Sequence, residues 1–216
     1  LVKPILLYSS DFWGCLKLPK NNPIETLYTS ILKQTIGVQK QTSNVGVFLE
    51  LGKIPLVTEA KKRAIKNWER IRVGHANNLL ISSYLDAIQE NLPWIGNIRS
   101  ILETNGLLNE YLDPGSKSVS TKLFQRLSDV FHQNSFETIH GNQSKLRTYA
   151  LYKTDIGFEN YLNIIRNKSI RVEMTKLRLS NHKLEIEKGR HSKTPKDLRF
   201  CPFCKNTIED EEHFLL

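Results

Sequence analysis

One pattern dominates this sequence: apolar residues recur at three- and four-residue spacing in segments that end at a glycine or a proline. In the segment that starts at Pro23, Ile24, Leu27 and Ile31 follow this spacing, and Gly37 marks a stop. The segment 58–92 continues the pattern with Gly74 as its divider. Because a period near 3.6 residues belongs to amphipathic helices and not to strands, the sequence predicts a mostly α fold.

Further helical segments and one strong turn divide the chain. Helices are predicted over 43–52, 93–106, 120–134, 142–156 and from Ser169 to about Ser180 or Asn181. The triplet Asp113-Pro114-Gly115 is typical of a tight turn, so a boundary is placed there. The predicted organisation is a helical region over 1–112, a basic helical module over 113–194 and a cysteine-histidine segment over 195–216.

The charge is high and unevenly distributed. The net charge is +9 and the isoelectric point is near 9.4. Between His140 and Phe200 there are 14 Lys and Arg against 6 Asp and Glu, whereas the residues after Cys204 are acidic on balance. A high positive charge favours a polyanionic partner, either a nucleic acid or an anionic membrane surface, and the position of the basic residues directly before the cysteine-histidine cluster favours RNA or DNA. No stretch has the roughly 20 apolar residues of a membrane span, so a membrane partner is not expected.

Cys201, Cys204 and His213 have the spacing of zinc ligands. Two cysteines separated by two residues can hold one metal ion in a tight turn, and a histidine on the next element can close the site. A structural zinc ion takes four ligands, so one is missing from this pattern. Water, Cys15, His191 and a residue beyond Leu216 are all open as the fourth ligand.

Basic side chains next to this cysteine-histidine segment are the candidates for phosphate contacts, because Lys and Arg supply most of the backbone contacts in nucleic-acid complexes. A solvated helix face without a ligand would have the same composition. The candidates are Arg171, Lys176, Arg178, Lys183, Arg190 and Arg199.

Several stretches in order resemble a known family. "KLRLSNHKLEIEKGRH" followed by "LRFCPFCKNTIEDEEHFLL" resembles the C-terminal cysteine-histidine segment of non-LTR (LINE-type) retrotransposon reverse transcriptases. "LVKPILLYSSDFWG" resembles the stretch that follows the polymerase core in these proteins, with Ser9 for the usual glycine and Asp11 for the usual glutamate. "FLELGKIPLVTEAKKRAIKNW" and "KLRTYALYKTDIGFENYL" are also similar. The resemblance covers nearly the whole chain and is weakest over 91–140.

The resemblance implies a fragment of an RNA-directed DNA polymerase, cut before the last cysteine of a CCHC zinc knuckle. Region 1–112 would be thumb-like or post-polymerase, and the module and knuckle would bind template RNA, target DNA or both. The fragment has no Tyr-x-Asp-Asp motif, so no catalytic residue is assigned to it and its own enzymatic activity is left open. The rest of the reverse transcriptase would be a partner, in the nucleus, the cytoplasm or both.

Other functions are compatible with the same residues. A three-ligand zinc ion with a water molecule, beside the acidic run 209–212, would suit a hydrolase. In the simpler interpretation, the acidic run is a helix N-terminus that the helix dipole favours. The chain could also be an element-derived module that binds proteins, or a decayed copy without present function.

Overall fold

The protein is described by a computed structural model that covers residues 2–19, 21–141 and 144–215. As predicted, the fold is mostly α: fourteen α-helices and one 3-10 helix occur in these residues, and pairing of extended chain is limited to two isolated bridges. The α-helices are α1 Val2–Leu6, α2 Ser10–Trp13, α3 Pro23–Ile36, α4 Asn44–Glu50, α5 Leu56–Arg72, α6 Asn78–Gln89, α7 Pro93–Thr104, α8 Leu108–Leu112, α9 Val119–His140, α10 Arg147–Tyr152, α11 Tyr161–Ile164, α12 Lys168–Arg178, α13 Glu185–His191 and α14 Glu211–Leu215.

The helix ends follow the predicted signals. Helix α3 ends before Gly37, which adopts a φ of 74°, and a Cβ at this position would lie 2.6 Å from the Val172 side chain. Helices α5 and α6 are separated at Gly74, as expected, because a positive φ favours glycine. The predicted helix over 142–156 is shorter, since α10 begins at Arg147; Asn142 and Gln143 lie outside the described residues.

The chain forms two compact units that alternate along the sequence. Unit 1 comprises 1–28 and 54–133, and unit 2 comprises 29–53 and 134–216. The functional segments predicted over 1–112, 113–194 and 195–216 do not coincide with these units and stay a prediction. Both sides of the turn at Asp113 belong to unit 1, and the Arg72 guanidinium binds the carbonyl oxygens of Glu110, Tyr111 and Ser116 across it.

Unit 1 is built around α5. Trp68 is buried on this helix and stacks on Tyr111 with ring centroids 5.5 Å apart. The Glu69 carboxylate accepts a hydrogen bond from the backbone N–H of Ser120 at 3.0 Å and so caps the start of α9. The buried core of unit 1 consists of Cys15, Ala64, Ile65, Trp68, Ile98, Leu102, Leu107, Val119 and Leu123.

Unit 2 has a separate core that surrounds α4. The Ser43 hydroxyl caps this helix by accepting from the N–H of Gly46, as the Thr-Ser-Asn sequence at 42–44 predicts. The buried core consists of Ile36, Val38, Val47, Leu49, Leu51, Ile139, Leu146, Tyr149 and Leu179. Across the described ranges of both units, every helix is either too short or too polar to cross a bilayer.

Candidate metal centre and basic groove

The two cysteines lie in a tight turn within a short hairpin. Phe200 and Ile208 form an antiparallel bridge, and the N–H of Cys201 donates to the carbonyl of Thr207 at 2.8 Å. The turn closes when the N–H of Lys205 donates to the carbonyl of Cys201 at 2.9 Å; Lys205 adopts a φ of 58°. This geometry turns both cysteine side chains toward one point.

The histidine comes from α14, which begins directly after the hairpin. The Asp210 carboxylate accepts from the N–H of His213 at 2.9 Å, so it caps the helix and fixes its start. His213 Nε2 then lies 3.4 Å from Cys204 Sγ. The ligand atoms of Cys201, Cys204 and His213 all lie within 4.8 Å of one another, close enough to bind one metal ion. The predicted convergence of these three residues is confirmed.

Local hydrogen bonds favour the thiolate form of Cys204. The Thr207 hydroxyl and the backbone N–H groups of Asn206 and Thr207 lower the pKa of the Cys204 thiol to about 6. A thiolate is the form that binds metal ions. The Thr207 hydroxyl also lies beside the imidazole ring of His213, 3.2 Å from Nδ1 and 3.3 Å from Nε2.

Three residues make up this ligand cluster within the described part of the chain. Neither Cys15 nor His191, both considered as fourth ligands from the sequence, belongs to it. Cys15 is buried in unit 1 and donates its thiol to the carbonyl of Phe12 at 3.1 Å. The remaining protein ligand predicted from the resemblance would follow Leu216, which lies outside the described residues.

Three of the four residues in the acidic run 209–212 have structural roles. Glu209 accepts from the N–H of Glu185 at 2.7 Å and caps α13. Glu211 is buried; it pairs with His182, with 2.8 Å between Oε1 and Nε2, and accepts from the Thr148 hydroxyl. Together with the Asp210 cap, these contacts agree with the simpler interpretation of the run.

The six basic candidates fall into two groups, and the first is held inside unit 2. Arg178 is paired with the buried carboxylate of Glu50 at 2.7 Å and also with Glu159. Arg199 donates to the carbonyl oxygens of Thr194 and Ile186 through all three of its guanidinium nitrogens. Arg171 donates to a carbonyl as well. The phosphate contacts predicted for these three arginines stay predictions. Each guanidinium would have to break its internal hydrogen bonds before it could bind a phosphate.

The second group lines a groove of unit 2, the basic groove, whose volume is about 1400 Å³. Lys176, Lys183 and Arg190 all line it. Lys183 is exposed, and within the described residues its ammonium group has no hydrogen bond or ion pair. Further basic lining residues are Lys145, Lys188 and His191. The groove also extends to the metal centre, since Pro202, Phe203 and Phe214 belong to its lining.

Two features of the groove were missed in the sequence. Phe203 and Phe214 each stand next to a metal ligand, and an exposed aromatic residue inside a Cys-x-x-Cys turn is a signal that was available. The lining residues Gln39, Gln41 and Thr42 lie more than a hundred positions before the knuckle. No local pattern could have connected them to it.

Comparisons with known proteins add no relative: no family model, no curated protein and no solved structure matches this chain.

Proposed function

We propose that unit 2 is a nucleic-acid-binding module in which the basic groove contacts phosphates and a zinc ion orders the adjoining knuckle. One observation carries the proposal: three of the basic residues singled out in the sequence, Lys176, Lys183 and Arg190, line one groove next to the ligand cluster. Cations grouped along a groove can follow a phosphate backbone, whereas dispersed surface lysines cannot.

Zinc is the metal that the donor set fits best. Two thiolates and one imidazole are soft and borderline ligands, which select zinc over magnesium or calcium. When bound, zinc would supply folding energy to a hairpin that is too small to have a core of its own. Cys201 and Cys204 would hold it through Sγ and His213 through Nε2, and the fourth position is proposed for a residue after Leu216.

The parent protein is proposed to be a reverse transcriptase of the non-LTR type. The support is the order of the similar stretches along the sequence, from "LVKPILLYSSDFWG" to "CPFCKNTIEDEEHF". On this proposal the module holds template RNA or target DNA for a polymerase core on the same polypeptide, in the nucleus, the cytoplasm or both. It performs no chemistry itself.

The hydrolase alternative is the weaker one. It needs a carboxylate that is free to act as a general base beside the metal. In the acidic run, Glu209 and Asp210 cap helices and Glu211 is paired with His182. These three carboxylates would have to leave a structural role before they could accept a proton from water. Glu212, which is exposed in the first turn of α14, is then the one candidate base that the run offers.

The test is the affinity of the whole chain for a short RNA and a short DNA across a salt series, followed by fluorescence anisotropy. We expect binding that weakens steeply with salt because phosphate contacts release counterions. Lys183→Ala should reduce the slope of log K against log salt by about one. Lys53→Ala is the matched control, since Lys53 is exposed in unit 2 and does not line the groove.

The proposal is overturned if neither nucleic acid binds with salt-dependent affinity. It is also overturned if Lys53→Ala weakens binding as much as Lys183→Ala, because the groove would then be no special surface. Binding of a neutral or acidic protein in the absence of nucleic-acid affinity would support the protein-interaction alternative.

A further inference from the structure

Two exposed phenylalanines lie at the edge of the basic groove. Phe203 is 90% exposed and Phe214 is 60% exposed, and both line the groove. A single exposed apolar residue is ordinary on a protein surface. Here the two rings belong to the same groove as Lys183 and Arg190, so aromatic faces and cations are available to one ligand.

Phe203 is carried on a turn that backbone hydrogen bonds close. It lies between the two cysteines of the cluster and directly after Pro202. Backbone bonds from Lys205 to Cys201 and from Cys201 to Thr207 close the turn around it. Because the backbone of the turn is already ordered, a ligand that covers the ring has to restrict the Phe203 side chain alone, which favours its use in binding.

The acidic residues in the groove do not oppose a polyanion strongly. Glu173 and Glu187 are paired with Lys176 and Arg190, with N–O distances of 2.7 and 2.9 Å. Glu209, the third carboxylate of the lining, accepts from the backbone at the start of α13. Among the described residues, Lys183 has no such carboxylate partner and Lys145 donates to the carbonyl oxygen of Gln41, so both ammonium groups can attract phosphate.

From this arrangement we infer that the basic groove takes a single-stranded nucleic acid and stacks a base on Phe203. The inference rests on the proposed nucleic-acid function and specifies its ligand. In a duplex each base face is covered by its neighbours, so Phe203 could reach it only at an end or after unstacking. In a single strand every base offers an open face, and stacking on aromatic side chains adds to the phosphate contacts whatever the sequence.

The first measurement compares one oligonucleotide, free of internal pairing, with the same strand annealed to its complement. Both are titrated with the whole chain at one salt concentration, as RNA and as DNA. We expect the single strand to bind at least about fivefold more tightly, since one stacked base contributes that much or more.

The second measurement separates stacking from charge. Phe203→Ala should weaken single-strand binding at least about fivefold and leave the salt slope unchanged, because no phosphate contact is lost. Phe203→Trp should retain the affinity. Leu151→Ala is the control: Leu151 is 81% exposed in unit 2 and does not line the groove. The metal content of each variant is measured to verify that the knuckle is intact.

The outcomes distinguish the two proposals. Salt-dependent binding with equal or better affinity for the duplex overturns the single-strand inference and leaves the nucleic-acid function standing. The same holds if Phe203→Ala binds like the wild type with its metal content unchanged. The absence of any salt-dependent binding overturns the proposed function itself.

Discussion

At the scale of single residues, Arg178 differs most from what its sequence context predicts. It stands in a basic stretch but lies in a cage of Tyr149, Tyr152 and Tyr161, with its guanidinium carbon 4.5 Å from the centroid of the Tyr152 ring. Its partner Glu50 has a fully buried side chain. A buried carboxylate requires a cation, so the charge of Arg178 stabilises the interior of unit 2.

Arg178→Met should therefore destabilise unit 2 by about 3–5 kcal/mol, since it leaves the Glu50 carboxylate buried without its cation. The measurement is urea denaturation followed by circular dichroism. Arg171→Met is the control, because within the described residues the Arg171 guanidinium donates to the carbonyl oxygen of Ile165 and pairs with no carboxylate. The double variant Glu50→Gln/Arg178→Met should recover part of the loss. Equal losses for the two single arginine variants would contradict the role given to the ion pair.

At the scale of elements, helix starts in unit 2 depend on individual caps. Helix α12 carries the groove residue Lys176, and the Asn167 side chain caps it by accepting from the N–H groups of Ser169 and Ile170 at 2.9 and 3.3 Å. Asn160 occupies the same position before α11 but makes no cap hydrogen bond. The two asparagines therefore form a natural pair for comparison.

Asn167→Ala should lower the stability of unit 2 by about 1 kcal/mol, because two backbone N–H groups of α12 lose their acceptor. Asn160→Ala should change it by only a few tenths of a kcal/mol. Thermal unfolding of both variants checks this. Asn167→Asp should keep most of the stability, since a carboxylate also caps a helix start. A loss in Asn160→Ala as large as that in Asn167→Ala would contradict the assignment.

The sequence predicted those features that depend on residues close to one another along the chain. Gly37 and Gly74 marked helix ends because a positive φ is a property of one residue, and the Ser43 cap involves a residue three positions away. The knuckle was equally visible, since its ligands lie within 13 residues. The pairing of Glu50 with Arg178 joins positions 128 apart. Non-local packing decides such a contact, and no spacing rule predicts it.

At the scale of the whole molecule, the two units have separate cores, and they can be followed by different spectroscopic signals. All three tryptophans, Trp13, Trp68 and Trp94, belong to unit 1. The ligand cluster belongs to unit 2. Tryptophan fluorescence therefore follows unit 1 alone, whereas far-ultraviolet circular dichroism follows the helices of both units.

Removal of zinc should therefore change the melting temperature seen by circular dichroism more than the one seen by tryptophan fluorescence. We expect the protein that carries the fourth ligand proposed after Leu216 to contain zinc, its Cys204→Ser variant to lose it and its Cys15→Ser variant to keep it, because Cys15 lies outside the cluster. A chelator should lower the melting temperature seen by circular dichroism and leave that of the fluorescence nearly unchanged, since metal binding contributes folding energy locally. Zinc that persists in Cys204→Ser would contradict the assigned ligands.

The alternation of the two units along the chain has a consequence for proteolysis. A nick between Lys53 and Ile54 would yield two fragments, and each would contain a piece of both units. The first would carry α4 of unit 2 together with the start of unit 1, and the second would carry the remainder of each. Such fragments would remain associated through two shared cores, so a protein that is cut once there would still migrate as one particle.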